Sequence, residues 1–424
     1  MLYLPAILIG RLIRMAVRIV RPGGGSALPG LVLRKIAPGL LRSTLKRFQQ
    51  GLVIITGSAG KSTTTKMTVA IARAHGLQVF TNPSTANIEQ GFYASILERS
   101  NLFGRVGGDI AILEMDEAHA AKIVRRIKPR FATILNVLED QLDRFGDPAF
   151  VRRDLGKVAE AATEGVALNA DDQNLLWMLA EGNGVSNVSW FGLSETVLAS
   201  ARTGLGTAPT YLFELERPET QMTGIAVEGL ELTVKNSHSQ IGKVKLPNRG
   251  LHFAVDALAA LETSSRLLGE KFDFEKALTV LSQLPPVFAR GEIKEVNGEP
   301  VEFILVQNPS SFQLNLDNLT TKPEQIMFAI GRDVHDPSWL YTVDLANLTH
   351  ADVVTGYNWA EAALLLAYNE IMVGKVCPQL DDALETFFAL PKPKRGMKTV
   401  IFSADAMRRT RRALGFTDPE DVER

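Results

Sequence analysis

A glycine-rich segment at residues 57–63, Gly-Ser-Ala-Gly-Lys-Ser-Thr, contains the residue types best suited to chemistry. It follows the apolar run 52–56, which indicates a buried strand, and it precedes apolar residues at helical spacing. A loop between a strand and a helix can close its backbone N–H groups on phosphate oxygens, and the helix N-terminus adds the positive end of its dipole. We expect Lys61 to reach the β- and γ-phosphates of a nucleotide, and the hydroxyl of Ser62 or Thr63 to coordinate Mg²⁺.

The spacing of this loop differs from the common phosphate-binding pattern. That pattern has a glycine five positions before Gly60, where this chain has Ile55, whereas Gly57 is only three positions before it. A glycine-rich turn that binds no ligand is therefore an alternative. The run Lys-Ser-Thr-Thr-Thr at 61–65 favours phosphate binding, because it is a poor first helical turn unless its hydroxyls are used.

Three carboxylates follow a second apolar run. Residues 110–113 predict a buried strand, and Glu114, Asp116 and Glu117 come directly after it. Carboxylates at the end of a strand beside a phosphate loop are the expected Mg²⁺ partners of a nucleotide. The alternative is a solvated charged run that opens the next helix, since acids suit a helix N-terminus. Both hold if Glu114 binds the metal while Asp116 and Glu117 cap the helix.

The plan of an apolar run followed by polar residues recurs along the chain. One polar segment ends in Asn87, the run 130–135 ends in Asn136, and acids follow the run 165–168. Doubly wound sheets place their ligands at such strand exits. With helical segments between the runs, the sequence predicts an α/β fold with a parallel sheet and one ligand-binding edge. Short alternating runs at 186–245 predict antiparallel strands on the edge of that domain.

Composition and charge are those of a globular protein. The chain has 424 residues, 46% hydrophobic and 22% charged, which is enough for two or three domains with their own cores. The net charge of −1 gives no reason to expect nucleic acid binding. Cys377 is the only cysteine, which excludes an intrachain disulfide and a cysteine-cluster metal site, so no zinc is expected. This cysteine usage fits a reducing cytoplasm.

The first twenty residues are apolar but carry three arginines at helical spacing. Arg11, Arg14 and Arg18 would lie on one face of a helix, and a membrane-spanning helix would have to bury them. No small-residue cleavage site of a signal peptide follows. The sequence therefore predicts an amphipathic helix that packs on its own protein. The alternative is a helix that rests on an anionic membrane surface. The predicted location is therefore cytoplasmic, with a peripheral position at the membrane as the alternative.

The order of these segments resembles the ATP domain of the Mur ligase family. The short loop is similar to that family's Gly-Thr-Asn-Gly-Lys-Thr/Ser, with Ser58 and Ala59 in the Thr-Asn places. Asp-Gln-Leu-Asp-Arg at 140–144, where most members carry Asp-His, resembles the ATP-using subunits of lipid II isoglutaminyl synthase. Segments 308–312 and 336–344 are similar to C-terminal segments of the same subunits.

The resemblance covers nearly the whole chain and implies three parts. These are an N-terminal helical segment packed on the next domain, a central Mur-ligase-type P-loop domain with a parallel sheet, and a smaller Rossmann-like C-terminal domain. Their expected ranges are 1–48, 49–290 and 291–424.

The resemblance also implies roles for individual residues. The expected nucleotide-binding residues are Gly57, Ser58, Gly60, Lys61, Ser62, Thr63, Asn87, Asn136 and Arg290. The expected metal ligands are Ser62 and Glu114, and the expected catalytic residues are Lys61, Glu114 and Asp336. The chain departs from the family at Phe253 and Asp256, which replace two asparagines and leave the adenine contacts open.

The activity that the resemblance implies is ATP-dependent amidation, with ATP and Mg²⁺ as cofactors. The substrate would be the D-glutamate α-carboxyl of the lipid II stem peptide, converted through an acyl phosphate to D-isoglutamine. Ammonia would come from a separate class I glutaminase subunit, GatD, whose catalytic histidine Asp336 would orient, with Asp333 as the second candidate. The other hypotheses are a stand-alone Mur-type amino-acid ligase and a non-catalytic nucleotide-binding scaffold.

Overall fold

Two sheets, one of nine strands and one of six, form the framework of the protein. The structure, a computed structural model, describes residues 3–20, 27–83, 86–138, 147–182, 184–201, 204–285, 290–306, 308–317 and 323–416. The Asp-Gln-Leu-Asp-Arg run at 140–144, on which part of the resemblance depends, lies outside the described residues.

The larger sheet contains the strands predicted around the glycine-rich loop. In chain order they are β1 (Leu52–Thr56), β2 (Val79–Phe80), β3 (Ile110–Glu114), β4 (Phe131–Ile134), β5 (Gly165–Asn169), β6 (Val188–Leu193), β7 (Met222–Glu228), β8 (Glu231–Asn236) and β9 (Ile241–Lys245). Across the sheet the order is β2-β3-β1-β4-β5-β6-β7-β8-β9. The pairs from β2 to β7 are parallel, and β7, β8 and β9 pair antiparallel. The predicted parallel α/β sheet is confirmed.

The helices of this region alternate with the strands or precede them. They are α1 (Leu4–Val20), α2 (Ala27–Ile36), α3 (Leu40–Leu45), α4 (Lys61–Ala74), α5 (Glu89–Arg99), α6 (Glu117–Ile123), α7 (Pro148–Ala161), α8 (Gln173–Glu181), α9 (Glu195–Leu198), α10 (Leu251–Leu268) and α11 (Phe274–Ser282). The prediction of antiparallel strands at 186–245 is confirmed for the pairs β7–β8 and β8–β9 and wrong for β6, which pairs parallel with β5 and β7. That strand returns from β5 through the crossover helix α8, and a crossover connection makes two neighbouring strands parallel.

The central strands are buried on both faces of the larger sheet. Ile54 packs with Leu113 in one core, whereas Val53 and Ile55 pack with Ile112 in the core on the opposite face. This alternation is the two-residue period of a strand. Because helices cover both faces, the strands are continuous apolar runs, and this explains why the sequence indicated them clearly.

The register of the central strands brings their exits to one edge. Ile55 lies opposite Glu114, and Thr56 lies opposite Ile134 on the other side of β1. The loops after β1, β3 and β4 therefore leave the sheet side by side, at the edge where parallel sheets bind ligands.

The first helices pack against α5. The helices α2 and α5 cross so closely that a Cβ atom on Gly30 would overlap the carbonyl oxygen of Gln90. The hydroxyl of Tyr93 in α5 donates a hydrogen bond of 2.6 Å to the carbonyl of Pro38, just before α3. Within the described ranges, no helix has both the length and the apolar composition needed to cross a membrane.

The smaller sheet is formed by β10 (Arg290–Val296), β11 (Glu299–Leu305), β12 (Gln325–Ala329), β13 (His350–Thr355), β14 (Met372–Cys377) and β15 (Lys398–Phe402). Its order is β10-β11-β15-β12-β13-β14, with one antiparallel hairpin, β10–β11, and parallel pairs elsewhere. The accompanying helices are α12 (Pro309–Asp317), α13 (Trp359–Tyr368), α14 (Leu380–Phe388) and α15 (Ala404–Ala413). Strands separated by helices again give the Rossmann-like arrangement that the sequence predicts.

Candidate active site

The glycine-rich loop joins β1 to α4 through two glycines with positive φ. Gly57 has φ of 132°, and Gly60, the residue before α4, has φ of 82°. A Cβ atom on Gly60 would overlap the Oδ1 atom of Asp256 in α10. Among the described residues no side chain caps the start of α4, so its first N–H groups are open to an anion at the loop.

Gly60→Ala is expected to destabilise the protein by roughly 2 kcal/mol more than Gly76→Ala, a cost typical of overpacking. Both glycines have positive φ, at 82° and 90°, but nothing lies within 4 Å of a Cβ atom on Gly76. The comparison therefore separates steric overlap with Asp256 from backbone strain. Urea unfolding of the two variants measures the difference, and equal destabilisation would contradict the close approach of Asp256 to the loop.

The ammonium group of Lys61 lies over the loop. Its Nζ donates hydrogen bonds to the carbonyl oxygens of Gly57 and Ser58, the latter at 2.9 Å. The Oε1 atom of Glu117 is 3.6 Å from the same nitrogen. Glu117 is buried in the first turn of α6. The sequence pattern predicts only helix capping for Glu117 and does not indicate its contact with Lys61.

Asn136 braces the loop from the end of β4. Its Oδ1 accepts a hydrogen bond of 2.9 Å from the backbone N–H of Ala59, and its Nδ2 donates to the Ala59 carbonyl at 3.3 Å. The hydroxyl of Ser58 in turn accepts from the backbone N–H of Leu138 at 3.0 Å. Asn136 and Ser58, both predicted nucleotide ligands, therefore hold the shape of the loop in this structure.

Glu114 ends β3 and is buried beside two asparagines. Its backbone N–H donates to the Oδ1 atom of Asn82 at 3.0 Å, and its carbonyl accepts from the Nδ2 atom of Asn82 at 3.1 Å. The Nδ2 atom of Asn87 lies 3.4 Å from the Oε1 atom of Glu114. Asn82 positions Glu114 and was not among the predicted site residues. Its place at the start of the polar segment that ends in Asn87 could have indicated this role.

Asp116 has the capping role that the sequence allowed. It precedes α6, and its Oδ1 accepts from the backbone N–H of His119 at 3.3 Å and lies 3.0 Å from the ring nitrogen Nδ1. A carboxylate in this position satisfies an open N–H group of the helix.

The hydroxyls after Lys61 differ in their surroundings. Thr63 is fully buried, and its hydroxyl has no hydrogen-bond partner among the described residues. Ser62 is half-buried at the loop surface. Mg²⁺ at a nucleotide takes oxygen ligands, usually one or two from the protein and the rest from phosphate and water. The oxygens of Ser62 and Glu114 fit that donor set, and Ser62 is the more accessible of the two candidate hydroxyls.

The two positions at which the chain differs from the Mur ligase pattern that it resembles both lie in α10. Phe253 is buried in the core. Asp256 is buried against the loop, where its Oδ1 accepts from the hydroxyl of Thr64 at 3.3 Å. Arg290, another expected nucleotide-binding residue, begins β10 of the smaller sheet, and its side chain is outside the described part of the chain.

A fully buried carboxylate fixes the segment after β4. The Oδ2 atom of Asp172 accepts from the backbone N–H of Val137 at 2.6 Å, and its Oδ1 atom accepts from the N–H of Asn174 at 2.9 Å. Desolvation by burial raises the pKa of Asp172 to about 6, although these hydrogen bonds oppose the shift.

Asp172 is therefore expected to make stability depend on pH between about 4 and 6. A folded-state pKa above the unfolded value means that the folded protein binds the proton more tightly, so this contribution to the free energy of unfolding falls as pH rises through that range. In the wild type, this effect should lower the free energy of unfolding by about 1 kcal/mol between pH 5 and pH 7. Asp172→Asn should lack this decrease. Urea unfolding at the two pH values measures it, with the exposed residue Asp382 replaced by asparagine as the control. An unchanged difference in Asp172→Asn would contradict the assignment.

The two aspartates predicted to contact a partner lie after β12 in the smaller sheet. Asp333 accepts hydrogen bonds from the hydroxyl of Ser403 at 2.7 Å and from the backbone N–H groups of Ala404 and Asp405 at 2.9 Å. It therefore anchors the start of α15. Asp336 is exposed, and it accepts a turn-type bond of 2.9 Å from the backbone N–H of Ser338. Hydrogen bonds from Ser338 lower the pKa of Asp336.

Comparison with known proteins identifies related sequences. A model of the Mur ligase middle domain matches residues 55–264. The chain is 26% identical over 371 residues to the MurT subunit of the glutamine-hydrolysing lipid II isoglutaminyl synthase of Streptococcus pneumoniae, covering 78% of this chain and 79% of that protein. It is 28% identical over 167 residues to the MurT subunit from Staphylococcus aureus, a match that covers 39% of this chain and 37% of that protein.

Solved structures share the fold at lower identity. The MurF ligase of Thermotoga maritima in complex with ADP has a TM-score of 0.63 at 20% identity, covering 90% of this chain and 83% of that one. The type C pseudomurein peptide ligase of Methanothermus fervidus has a TM-score of 0.65 at 19% identity, covering 89% and 80%. The common architecture confirms the predicted fold class.

Proposed function

We propose that this chain, which carries a Mur ligase middle domain at residues 55–264, is the ATP-using subunit of a lipid II isoglutaminyl synthase. The similarity to MurT over 78% of the chain supports this assignment. The structural observation that carries it is the loop of Gly57 and Gly60 beneath Lys61, with the buried Glu114 at the exit of the neighbouring strand. This combination is what phosphoryl transfer requires, namely positioning and charge stabilisation.

The proposed reaction activates a carboxylate that is otherwise a poor electrophile. An oxygen of the D-glutamate α-carboxylate in the lipid II stem peptide attacks the γ-phosphorus of ATP, and the bond to the β-phosphate oxygen breaks to release ADP. Ammonia then adds to the carbonyl carbon of the acyl phosphate and loses a proton. Inorganic phosphate leaves, and the product is the D-isoglutamine amide.

The residues of the loop have separate tasks in this proposal. The N–H groups at the start of α4 and the ammonium of Lys61 bind the β- and γ-phosphates, and Glu117 holds that ammonium near the loop at 3.6 Å. Ser62 and Glu114 are the ligands proposed for Mg²⁺, which when bound would neutralise charge on the phosphates. Asn136 keeps the loop closed through its two bonds to Ala59.

A separate glutaminase of the GatD type is the proposed source of ammonia. Cys377, the only cysteine of the chain, is buried at the end of β14 and so is poorly placed to act as a glutaminase nucleophile. The word subunit in the names of the related proteins also supports a complex. Asp336 is the better candidate to orient a partner's histidine, because it is exposed, whereas Asp333 is bonded to the start of α15.

The decisive assay measures amidation by the purified complex. The chain and a class I glutaminase are combined with lipid II and ATP, with either glutamine or ammonium chloride as the nitrogen source, and the product is identified by mass spectrometry. Conversion with both nitrogen sources, each dependent on ATP, is expected. ATP turnover that responds to free amino acids instead would identify a stand-alone Mur-type ligase, and absence of turnover in the intact complex would identify a non-catalytic scaffold.

A further inference from the structure

The helix α1 exposes an apolar face to solvent. Leu8, Leu12, Met15 and Ile19 recur at every third or fourth position and form this outward face, with exposed fractions of 44%, 61%, 57% and 75%. Side chains at such spacing share one side of a helix. A continuous apolar stripe of this kind, with no covering element among the described residues, indicates an interaction surface.

The opposite face of α1 is fixed to the protein. Ile7 is fully buried, and a Cβ atom on Gly10 would contact Leu97 of α5. The guanidinium of Arg11 donates to the carbonyl of Ser100 at 2.6 Å, and that of Arg14 pairs with Glu98. The sequence predicts that this helix packs on its own protein. The structure adds that two of its arginines face inward, which leaves the apolar side outward.

The neighbouring helix α2 also exposes apolar side chains. Leu28 and Ile36 are about half exposed, and Lys35 is exposed next to Ile36. Because α1 packs against α2, the two helices present apolar side chains and a cation on adjacent parts of the surface.

Charge in this part of the chain identifies the kind of partner. The first 50 residues contain nine lysines and arginines and no aspartate or glutamate. Two of the nine, Arg14 and Arg34, are paired with Glu98 and Glu89 of α5, so the excess of positive charge comes from the others. Arg42, Lys46 and Arg47 in and after α3 are exposed. The whole chain has a net charge of −1, so the remainder is net acidic. A basic region beside an apolar stripe is complementary to anionic lipid headgroups over an acyl layer.

We propose that α1 and α2 form a docking face for an anionic lipid bilayer, with the outward face of α1 lying at the boundary between headgroups and acyl chains. A spanning arrangement is not involved, since no described helix is suited to cross a membrane. A second copy of the chain fits less well, because a two-fold contact through this face would bring two basic regions together. The proposal is independent of the ligase chemistry, although it would hold the active site near a lipid-linked substrate.

Vesicle flotation of the full chain tests this proposal. Vesicles of phosphatidylcholine alone are compared with vesicles of phosphatidylcholine and phosphatidylglycerol in equal parts, without ATP or lipid-linked substrate. We expect the wild type to partition at least about tenfold more strongly to the anionic vesicles, and added salt to weaken that binding. The double variant Leu12→Gln/Met15→Gln should lose about tenfold or more of it.

A matched control is the double variant Ile241→Gln/Ile293→Gln. These isoleucines are 58% and 54% exposed on strands β9 and β10, close to the values for Leu12 and Met15, and they should be dispensable for vesicle binding.

Circular dichroism checks that both variants fold. Equal vesicle binding by both double variants, or no binding by the wild type, would overturn the proposal. Analytical sedimentation gives a further test. A dimer that forms in the wild type and is lost only in Leu12→Gln/Met15→Gln would also overturn the proposal, because it would assign the face to a second copy of the chain. Because the assay contains neither nucleotide nor substrate, its failure would leave the proposed ligase activity untouched.

Discussion

Lys61→Ala is expected to lower ATP-dependent amidation by at least about a hundredfold. The ammonium of Lys61 lies over the loop, bonded to the carbonyls of Gly57 and Ser58 and 3.6 Å from Glu117. In the proposed reaction, this ammonium would pair with a triphosphate bound at the start of α4. Lys61 would then stabilise the negative charge on the transferring phosphoryl group. Amide formation from lipid II with ammonium chloride as nitrogen source, followed by mass spectrometry, measures the loss without involving the glutaminase.

The matched control for this variant is Lys66→Ala. Lys66 lies on the same helix and is exposed, so its replacement removes an equal charge away from the loop. Alanine is a strong helix former, so neither change should unfold α4. Both variants should still form the complex with the glutaminase in gel filtration. Amidation that persists in Lys61→Ala would remove the phosphate-binding role from this loop.

Local pattern was sufficient for the elements that carry the site. The strands β1 and β3 are buried on both faces, so each is a short continuous apolar run, and Gly57 and Glu114 follow these runs directly. Parallel strands place such exits at one edge. The sequence could therefore place the loop and the carboxylate at one edge of the sheet, and the register of β1 and β3 agrees with that placement.

Contacts between distant parts of the chain could not be predicted in the same way. Asp256 is 196 positions after Gly60 in the sequence and yet occupies the space that a Cβ atom there would need. Asp172 bonds the N–H of Val137 across two neighbouring strand exits. Both carboxylates lie in segments whose local pattern indicates only a helix or a strand exit. Their roles depend on register and on helix packing, which one sequence does not specify.

The structure distinguishes two aspartates after β12 that the sequence pattern could not distinguish. Asp333 and Asp336 are three residues apart in one polar segment, so pattern alone allowed both as a contact for a partner's histidine. Three donors at the start of α15 engage Asp333. Asp336 keeps an exposed carboxylate and a lowered pKa, so it remains charged at neutral pH and can hold a histidine in one orientation.

Asp336→Asn is accordingly expected to lower glutamine hydrolysis by the complex by at least about a hundredfold, since loss of the charge on an aspartate that orients a catalytic histidine costs about 10⁴-fold in a Ser-His-Asp triad. Asparagine keeps the side-chain oxygen that accepts from Ser338, so the turn should survive while the negative charge is lost. Glutamate release in the reconstituted complex measures hydrolysis. Amidation with ammonium chloride should stay close to the wild-type rate, because that reaction does not use the glutaminase.

The contrast between the two nitrogen sources makes the Asp336 prediction specific. A variant that merely weakened the fold would lose both activities, whereas a charge that serves only the partner's histidine affects hydrolysis alone. Asp381→Asn, which removes an exposed carboxylate from the first turn of α14, is the matched control and should leave both activities unchanged. If Asp336→Asn hydrolyses glutamine at the wild-type rate while remaining bound to the glutaminase, the orienting role passes to Asp333 or to a residue outside this chain.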